Sequence, residues 1–181
     1  DRLADRLQRR LADLQRERAI VPQPPSIRGG ALVIPAGLLA KLGGKSVPAI
    51  ASTEDRDEVE RLAMQAIMAA ESALGRAPRD VSALRGLGYD IESRDQTTGQ
   101  LVFVEVKGRA DGADQVTLTR TEVLCALNEP EKFRLAVVVV ENGAATRPVY
   151  VRGFDFGQPG VAQTSSTYSL AALLAHGGEP S

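Results

Sequence analysis

The 181-residue sequence predicts an α/β fold, in which a central mixed sheet is flanked by helices and preceded by an N-terminal helix and a linker. Three observations predict it. Residues 53–75 carry apolar side chains at helical spacing, and residues 91–107 contain two strand-like runs joined by the turn DQTTGQ. The all-apolar run Leu135–Val140 is typical of a strand that is buried on both faces. The resulting order is helix, two or three strands, helix, two strands, helix.

The first 19 residues predict a surface helix, because leucines recur there every three or four positions. These are Leu3, Leu7, Leu11 and Leu14. The stripe indicates either a solvated helix packed on a neighbour, or a coiled-coil arm or phosphate-contacting face. Prolines from Pro22 onward end the helix, and a short strand at residues 31–35 and a helical turn at residues 37–44 follow. We therefore assign residues 1–50 to a helix with a Pro/Gly-rich linker, and residues 51–181 to a second domain.

Residues 53–75 give the clearest helix prediction. Ser52 and Thr53 are suitable N-cap residues, acidic residues crowd the first turn, and Gly75 ends the helix. Its apolar stripe consists of Val59, Leu62, Ala63, Ala66, Ile67, Ala70 and Leu74. The segment 77–90, which contains Pro78 and two glycines, predicts a loop.

The rest of the chain predicts short strands and two more helices. The predicted strands are residues 91–94, 101–107, 115–118, 135–140 and 148–152. A helix runs from Thr119 to about Asn128, and Thr119 with Glu122 forms its capping box. A last short helix is predicted at residues 169–175.

The composition excludes several classes of protein. The single cysteine, Cys125, excludes a disulfide scaffold and a zinc finger, and the single histidine, His176, argues against a Ser-His-Asp hydrolase. A net charge of −1 argues against a globally basic coat protein, but it leaves room for a local basic groove. No signal peptide, membrane-spanning run, Walker A motif or initiator Met is seen. We expect a cytoplasmic fragment of a longer protein, with catalysis based on carboxylates and lysine.

The segment GYDIESRDQTTGQLVFVEVKGR, residues 88–109, carries the candidate chemistry. Side chains alternate across a strand, so Glu105 and Lys107 share one face of the predicted strand 101–107. An acidic and a basic residue on an otherwise apolar strand are costly to bury without a purpose. Asp90 opens the preceding strand, with fourteen residues between it and Glu105. A hairpin can therefore bring Asp90 beside Glu105.

This trio suits hydrolysis of a phosphodiester. Asp90 and Glu105 offer hard oxygen ligands for Mg²⁺ or Mn²⁺, and such a metal lowers the pKa of a bound water. Lys107 can orient that water and neutralise charge in the transition state. Glu71, on the rim of the apolar stripe of the helix 53–75, is the candidate third metal ligand. We therefore expect Asp90, Glu105, Lys107 and Glu71 to form one site.

These residues resemble the PD-(D/E)xK nuclease superfamily, through Asp90, then Glu105-Val106-Lys107, with Glu71 in the first core helix. A narrower resemblance, over about residues 60–176, is to the NO VEIN C-terminal domain. It is carried by AAESALGR, DVS, GYDIES, FVEVKGR, LTRTEVLCALN and YSLAALL. The leader PQPPSIRGGALVIPAGLL is similar to the tail of a Snf2-type bacterial helicase.

The resemblance implies a nuclease-like domain, residues 51–181, at the end of helicase-like and defence-associated proteins. Residues 1–50 would then be the tail of the helicase-like region, and an ATP-driven motor in the same chain would deliver the domain to DNA. The alternative is a catalytically inactive module that binds nucleic acid or contacts the helicase. A third reading is a structural tail that docks on the motor.

Some residues keep two interpretations. Glu92 shares the face of Asp90 and could replace one metal ligand. Arg109 and Arg120 are either phosphate contacts or solvated side chains. Glu122 is expected to be the capping-box partner of Thr119.

Overall fold

The chain divides into two units, residues 1–50 and residues 51–181. The computed structural model describes residues 2–19, 38, 53–160 and 162–181. In the first unit, helix α1 spans Arg2–Arg18, as the leucine spacing predicts, and none of its residues is buried. The strand and helical turn expected at residues 31–44 lie outside the described residues, apart from residue 38. Within the described residues, no helix is both long and apolar enough to cross a bilayer.

The described part of the second unit alternates helices with strands. Its helices are α2 (Thr53–Ala73), α3 (Arg120–Asn128) and α4 (Leu170–His176). Its strands are β1 (Arg76–Asp80), β2 (Ile91–Asp95), β3 (Leu101–Ala110), β4 (Gln115–Thr119), β5 (Phe133–Glu141), β6 (Ala144–Ala145), β7 (Val149–Val151) and β8 (Ser165–Ser169).

Six of these strands form one mixed sheet. Its order is β1-β2-β3-β5-β6, and β7 also pairs with β5. The β1–β2 and β2–β3 pairs are antiparallel, whereas β3 and β5 are parallel and need a crossover, which β4 and α3 supply. Strand β4 itself pairs with β8 in a separate two-stranded sheet. The predicted α/β fold, with a central mixed sheet flanked by helices, is confirmed.

Each face of the mixed sheet has its own apolar core. On one face, Ile67 of α2 packs in a cluster with Val104 of β3. On the other face, Val123 of α3 and Leu173 of α4 pack in a cluster with Leu135 of β5. We call these the α2 face and the α3 face. Because strand side chains alternate, neighbouring residues of β3 belong to opposite faces.

Two glycines allow close approach between elements. A Cβ on Gly108 of β3 would lie 2.8 Å from the carbonyl oxygen of Val59 and 3.0 Å from the Cβ of Ala63, both in α2. At Gly88, where φ is +81°, a Cβ would lie 2.7 Å from the carbonyl oxygen of Thr121 in α3. Any larger residue would push these elements apart. The glycines thus bring α2 against the second half of β3, and the segment before β2 against the start of α3.

The structure has three strands that the sequence does not predict, namely β1, the two-residue β6 and β8. The predicted loop at residues 77–90 is wrong at its start, where β1 forms. Pro78 is tolerated there because β1 is an edge strand of the described sheet, in which it pairs with β2 alone. Strand β8 has the sequence SSTYS, which lacks an apolar run. The other predicted helices and strands of the second unit are confirmed to within a few residues at their ends.

Candidate active site

A cleft of about 590 Å³ opens beside the second half of β3. The register of β2 on β3 ends at the Ile91–Val104 pair. Among the residues that the structure describes, residues 106–110 therefore pair with β5 alone, and one edge of this part of β3 is open. Side chains from α2, β3 and α3 line the cleft. The lining residues are Glu60, Arg61, Met64, Gln65, Asp80, Ser82, Asp90, Glu105, Val106, Lys107, Gly108, Arg109 and Glu122. Three of the four predicted site residues therefore share one cavity.

Asp90 lies immediately before β2 and extends the pairing with β3. Its backbone N–H donates to the carbonyl oxygen of Val104 at 3.0 Å, and its carboxylate Oδ2 accepts from the N–H of Val106 at 2.9 Å. The second bond fixes the carboxylate at the open edge of β3. Burial raises the pKa of Asp90, although the Val106 hydrogen bond and Lys107 oppose the rise. A cation beside this carboxylate would favour its charged form.

Glu105 and Lys107 lie on the α3 face of the sheet. Glu105 is opposite Leu135 in the β3–β5 register, and its side chain is only 2% exposed. The Nζ of Lys107 lies 2.5 Å from Oε1 of Glu105. Burial raises the pKa of Glu105 to about 8; Lys107 opposes this rise, while Asp90 and Glu122 add to it. Burial opposes the charge on Lys107, but the two neighbouring glutamates prevail and raise its pKa.

Glu122 belongs to the cleft as well as to the helix cap. The predicted capping box is confirmed: Oε2 of Glu122 accepts from the N–H of Thr119 at 3.0 Å, and Oγ1 of Thr119 accepts from the N–H of Glu122 at 3.3 Å. The same Oε2 lies 3.0 Å from Nζ of Lys107. Lys107 is thus held between two carboxylates, one from β3 and one from α3.

Other charged residues also line the cleft, and some of them belong to elements that are distant from β3 in the sequence. Glu60 reaches it from α2, and Asp80 from the end of the unpredicted strand β1. Arg109 also lines the cleft; its Nε donates to the carbonyl oxygen of Gln115 at 3.0 Å. Glu92, considered as a replacement ligand, pairs instead with Arg79 at 3.1 Å and is not among the lining residues.

Contrary to expectation, Glu71 does not face the cleft. Ala63, Ile67 and Glu71 follow one another at four-residue spacing and are all fully buried, so Glu71 lies within the buried stripe of α2 rather than on its rim. Its Oε2 lies 3.0 Å from Nη1 of Arg76, and its Oε1 accepts from the hydroxyl of Tyr150 at 2.7 Å. Tyr150 packs in the core of the α2 face, which is opposite to the face of Glu105. The structure therefore gives Glu71 a buried ion pair in place of a position in the site.

The donor set of the cleft fits a hard divalent cation. Within the part of the chain that the structure describes, no three Asp, Glu, His or Cys residues are grouped as a metal-ligand set. Mg²⁺ does not require such a group, since it binds through one or two carboxylates and keeps several waters. Asp90 and Glu105 provide two carboxylates in one cleft, and the pKa of each is raised. A nearby cation would stabilise the charged form of such carboxyl groups, which burial disfavours.

A family model described as Protein NO VEIN, C-terminal, matches residues 59–151, just over half of the chain. The chain belongs to this family. The resemblance to the NO VEIN C-terminal domain is thereby confirmed, and the matched segment contains every residue that lines the cleft. No curated protein and no solved structure matches the chain.

Proposed function

We propose that residues 51–181 of this NO VEIN C-terminal family member form a metal-dependent nuclease domain that hydrolyses phosphodiester bonds in DNA. One observation carries the proposal: Asp90, Glu105 and Lys107 line a single cleft at the open edge of β3. Two oxygen ligands and an ammonium group in one accessible cavity are the components that phosphodiester hydrolysis needs.

Each residue has a distinct role in this proposal. Asp90 and Glu105 would hold Mg²⁺ or Mn²⁺, which would lower the pKa of a bound water and shield the charge on the phosphate. Lys107 would orient the attacking water and neutralise charge that develops on the phosphate. Arg109 would add positive charge near the same phosphate, since it lines the cleft and its guanidinium is held by backbone carbonyl oxygens at 2.6 and 3.0 Å. Glu71 has no part in the site.

The proposal extends to partners and location. The sequence resemblance of the leader to a Snf2-type tail supports a helicase-like motor in the same chain as the partner that delivers the domain to DNA, in the cytoplasm of a bacterium and in a role such as defence. The cleft is rich in carboxylates and lacks a dense basic patch. Binding of DNA by the motor region would compensate for the lack of a basic patch in the cleft.

The experiment is cleavage of plasmid and single-stranded DNA with Mg²⁺, Mn²⁺ or a chelator. We expect cleavage to need the metal, and Lys107→Ala to lower the rate by about 100-fold, because it removes a group that stabilises transition-state charge. Lys132→Ala is the matched control, since Lys132 pairs with Glu129 at 3.0 Å outside the cleft. Equal rates for the Lys107 variant and the parent, or no cleavage by the parent, would overturn the nuclease proposal.

A catalytically inactive module that binds nucleic acid, or contacts the helicase, is the second candidate. It is favoured by the engagement of Lys107 with two carboxylates, at 2.5 and 3.0 Å, because this pairing leaves less of its charge for a phosphate. DNA binding that weakens with salt but is never followed by cleavage would support it, since phosphate contacts release counterions.

A further inference from the structure

Lys107 contacts the capping box at the start of α3. Oε2 of Glu122 accepts from the N–H of Thr119 at 3.0 Å and also lies 3.0 Å from Nζ of Lys107. We propose that Glu122 is a positioning residue for Lys107, a role that rests on the proposed nuclease function. The carboxylate of Glu122, in the first turn of α3, would thus determine where the ammonium group of Lys107 lies.

The geometry makes Glu122 a fixed anchor. Within the capping box, the backbone N–H of Thr119 holds the carboxylate of Glu122, so this carboxylate is not free to swing as an exposed glutamate would be. Its side chain is 13% exposed and that of Lys107 is 16% exposed. Charge-assisted hydrogen bonds shielded in this way from water are stronger than exposed ones.

Glu105 cannot serve as the anchor by itself. It is one of the two carboxylates proposed to hold the cation, and an oxygen that binds a cation attracts an ammonium group less strongly. Glu122 lies on a different element and remains with Lys107 in either case. The Gly88 contact with Thr121 packs the segment before Asp90 against the same turn of α3.

Glu122→Gln tests this role without removing the cap. Glutamine at N3 also completes a capping box, whereas the charge on Lys107's partner is lost. We expect kcat to fall about tenfold with KM nearly unchanged. The ammonium group of Lys107 is proposed to stabilise the transition state, so its displacement should slow the reaction without weakening substrate binding. Thr119→Ala is the matched control, since it removes the other half of the capping box and leaves the carboxylate of Glu122 in place. It should lower the Tm by about 3 °C with little change in kcat.

A double variant distinguishes positioning from general structural support. If Glu122 acts through Lys107, Lys107→Ala with Glu122→Gln should cleave no more slowly than Lys107→Ala alone. Rate losses that multiply would overturn the proposal, as would a fall in kcat for Thr119→Ala as large as that for Glu122→Gln.

Chemical labelling of lysine provides a readout that does not need activity. We expect acetylation of Lys107 at fixed pH to be about fivefold faster in Glu122→Gln than in the parent, which is the scale of losing one charge-assisted hydrogen bond. Lys132 serves as the internal reference. If no protein cleaves DNA, the nuclease proposal fails. Faster labelling would then still establish Glu122 as the anchor of Lys107, and unchanged labelling would overturn that as well.

Discussion

Two buried glutamates lie on opposite faces of the same sheet and have opposite surroundings. On the α2 face, Glu71 is fully buried, and its two oxygens are taken up by Arg76 and the hydroxyl of Tyr150. On the α3 face, Glu105 is almost as buried, but its cationic partner Lys107 is shared with another glutamate. Burial alone therefore does not identify a functional carboxylate. What distinguishes Glu105 is a shared cationic partner and a place in the lining of a cleft.

The largest expected effect is the loss of folding stability when Glu71 is replaced. Glu71→Ala should lower the free energy of unfolding by about 4 kcal/mol, because it leaves Arg76, whose side chain is only 14% exposed, without its counter-ion. Urea unfolding followed by circular dichroism measures this. Glu58→Ala is the control, since its pair with Arg61 is exposed on the same helix. A loss as small as that of the control would mean that the Glu71 ion pair is not structural.

The next largest effect is on the pH dependence of stability, to which Glu105 should contribute. Burial raises the pKa of Glu105 to about 8 in the folded protein, so between about pH 4.5 and 8 the folded state holds a proton that the unfolded state releases. The resulting stability is complete below pH 4.5 and is lost as the pH rises towards 8. In metal-free buffer, Glu105→Gln should reduce this loss by about 3 kcal/mol. Parallel curves for parent and variant, measured by urea unfolding from pH 5 to 8, would contradict the assignment.

Gly108 lies in β3, the strand that carries Glu105 and Lys107, and its missing side chain lets α2 pack closely against that strand. Gly108→Ala should cost about 2 kcal/mol, since the added Cβ meets the backbone of α2 at 2.8 Å. Gly178→Ala is a control with nothing within 4 Å of the added Cβ. Thermal unfolding compares the two, and an equal shift in Tm would show that the close approach is not required.

The smallest expected effect is stabilisation by metal. Mg²⁺ at ten times its Kd should raise the free energy of unfolding by about 1.4 kcal/mol. Asp90→Asn and Glu105→Gln should abolish this gain, and Glu71→Gln should retain it, because Glu71 lies on the other face. Thermal shift with and without Mg²⁺ measures the difference. A gain that survives in Glu105→Gln would place the cation elsewhere.

The positions that the sequence predicts correctly are those that a local pattern determines. The alternation of β3 puts Glu105 and Lys107 on one face, and the hairpin register carries Asp90 to the same place. The capping box at Thr119 is equally local, because both of its partners lie within one turn. Periodicity and turn chemistry specify such features without knowledge of the tertiary structure.

The residues that the sequence misplaces depend on packing between distant elements. Helix α2 packs closely on β3 where Val59 meets Gly108, and the face of α2 that it turns to the sheet includes Glu71, which is fully buried. Glu122 reaches Lys107 only because the crossover from β3 to β5 brings α3 over that face. No spacing within α2 or α3 reports either contact. The sequence does contain a sign that Glu71 is buried: it follows Ile67 by four residues and so continues the apolar stripe of the helix. A carboxylate at such a position needs a buried cation as its partner.

The pairing of β4 with β8 has a consequence for the order in which the chain folds. It joins Thr117 to Thr167, fifty residues apart, so β4 is synthesised well before its partner. The core that contains Val116 and Leu118 is completed only when Leu173 arrives. A chain ending at residue 151, where the family match ends, would contain every residue of the cleft and still leave this apolar surface uncovered and prone to aggregate. The boundary of recognisable sequence and the boundary of a stable folding unit are therefore different in this domain.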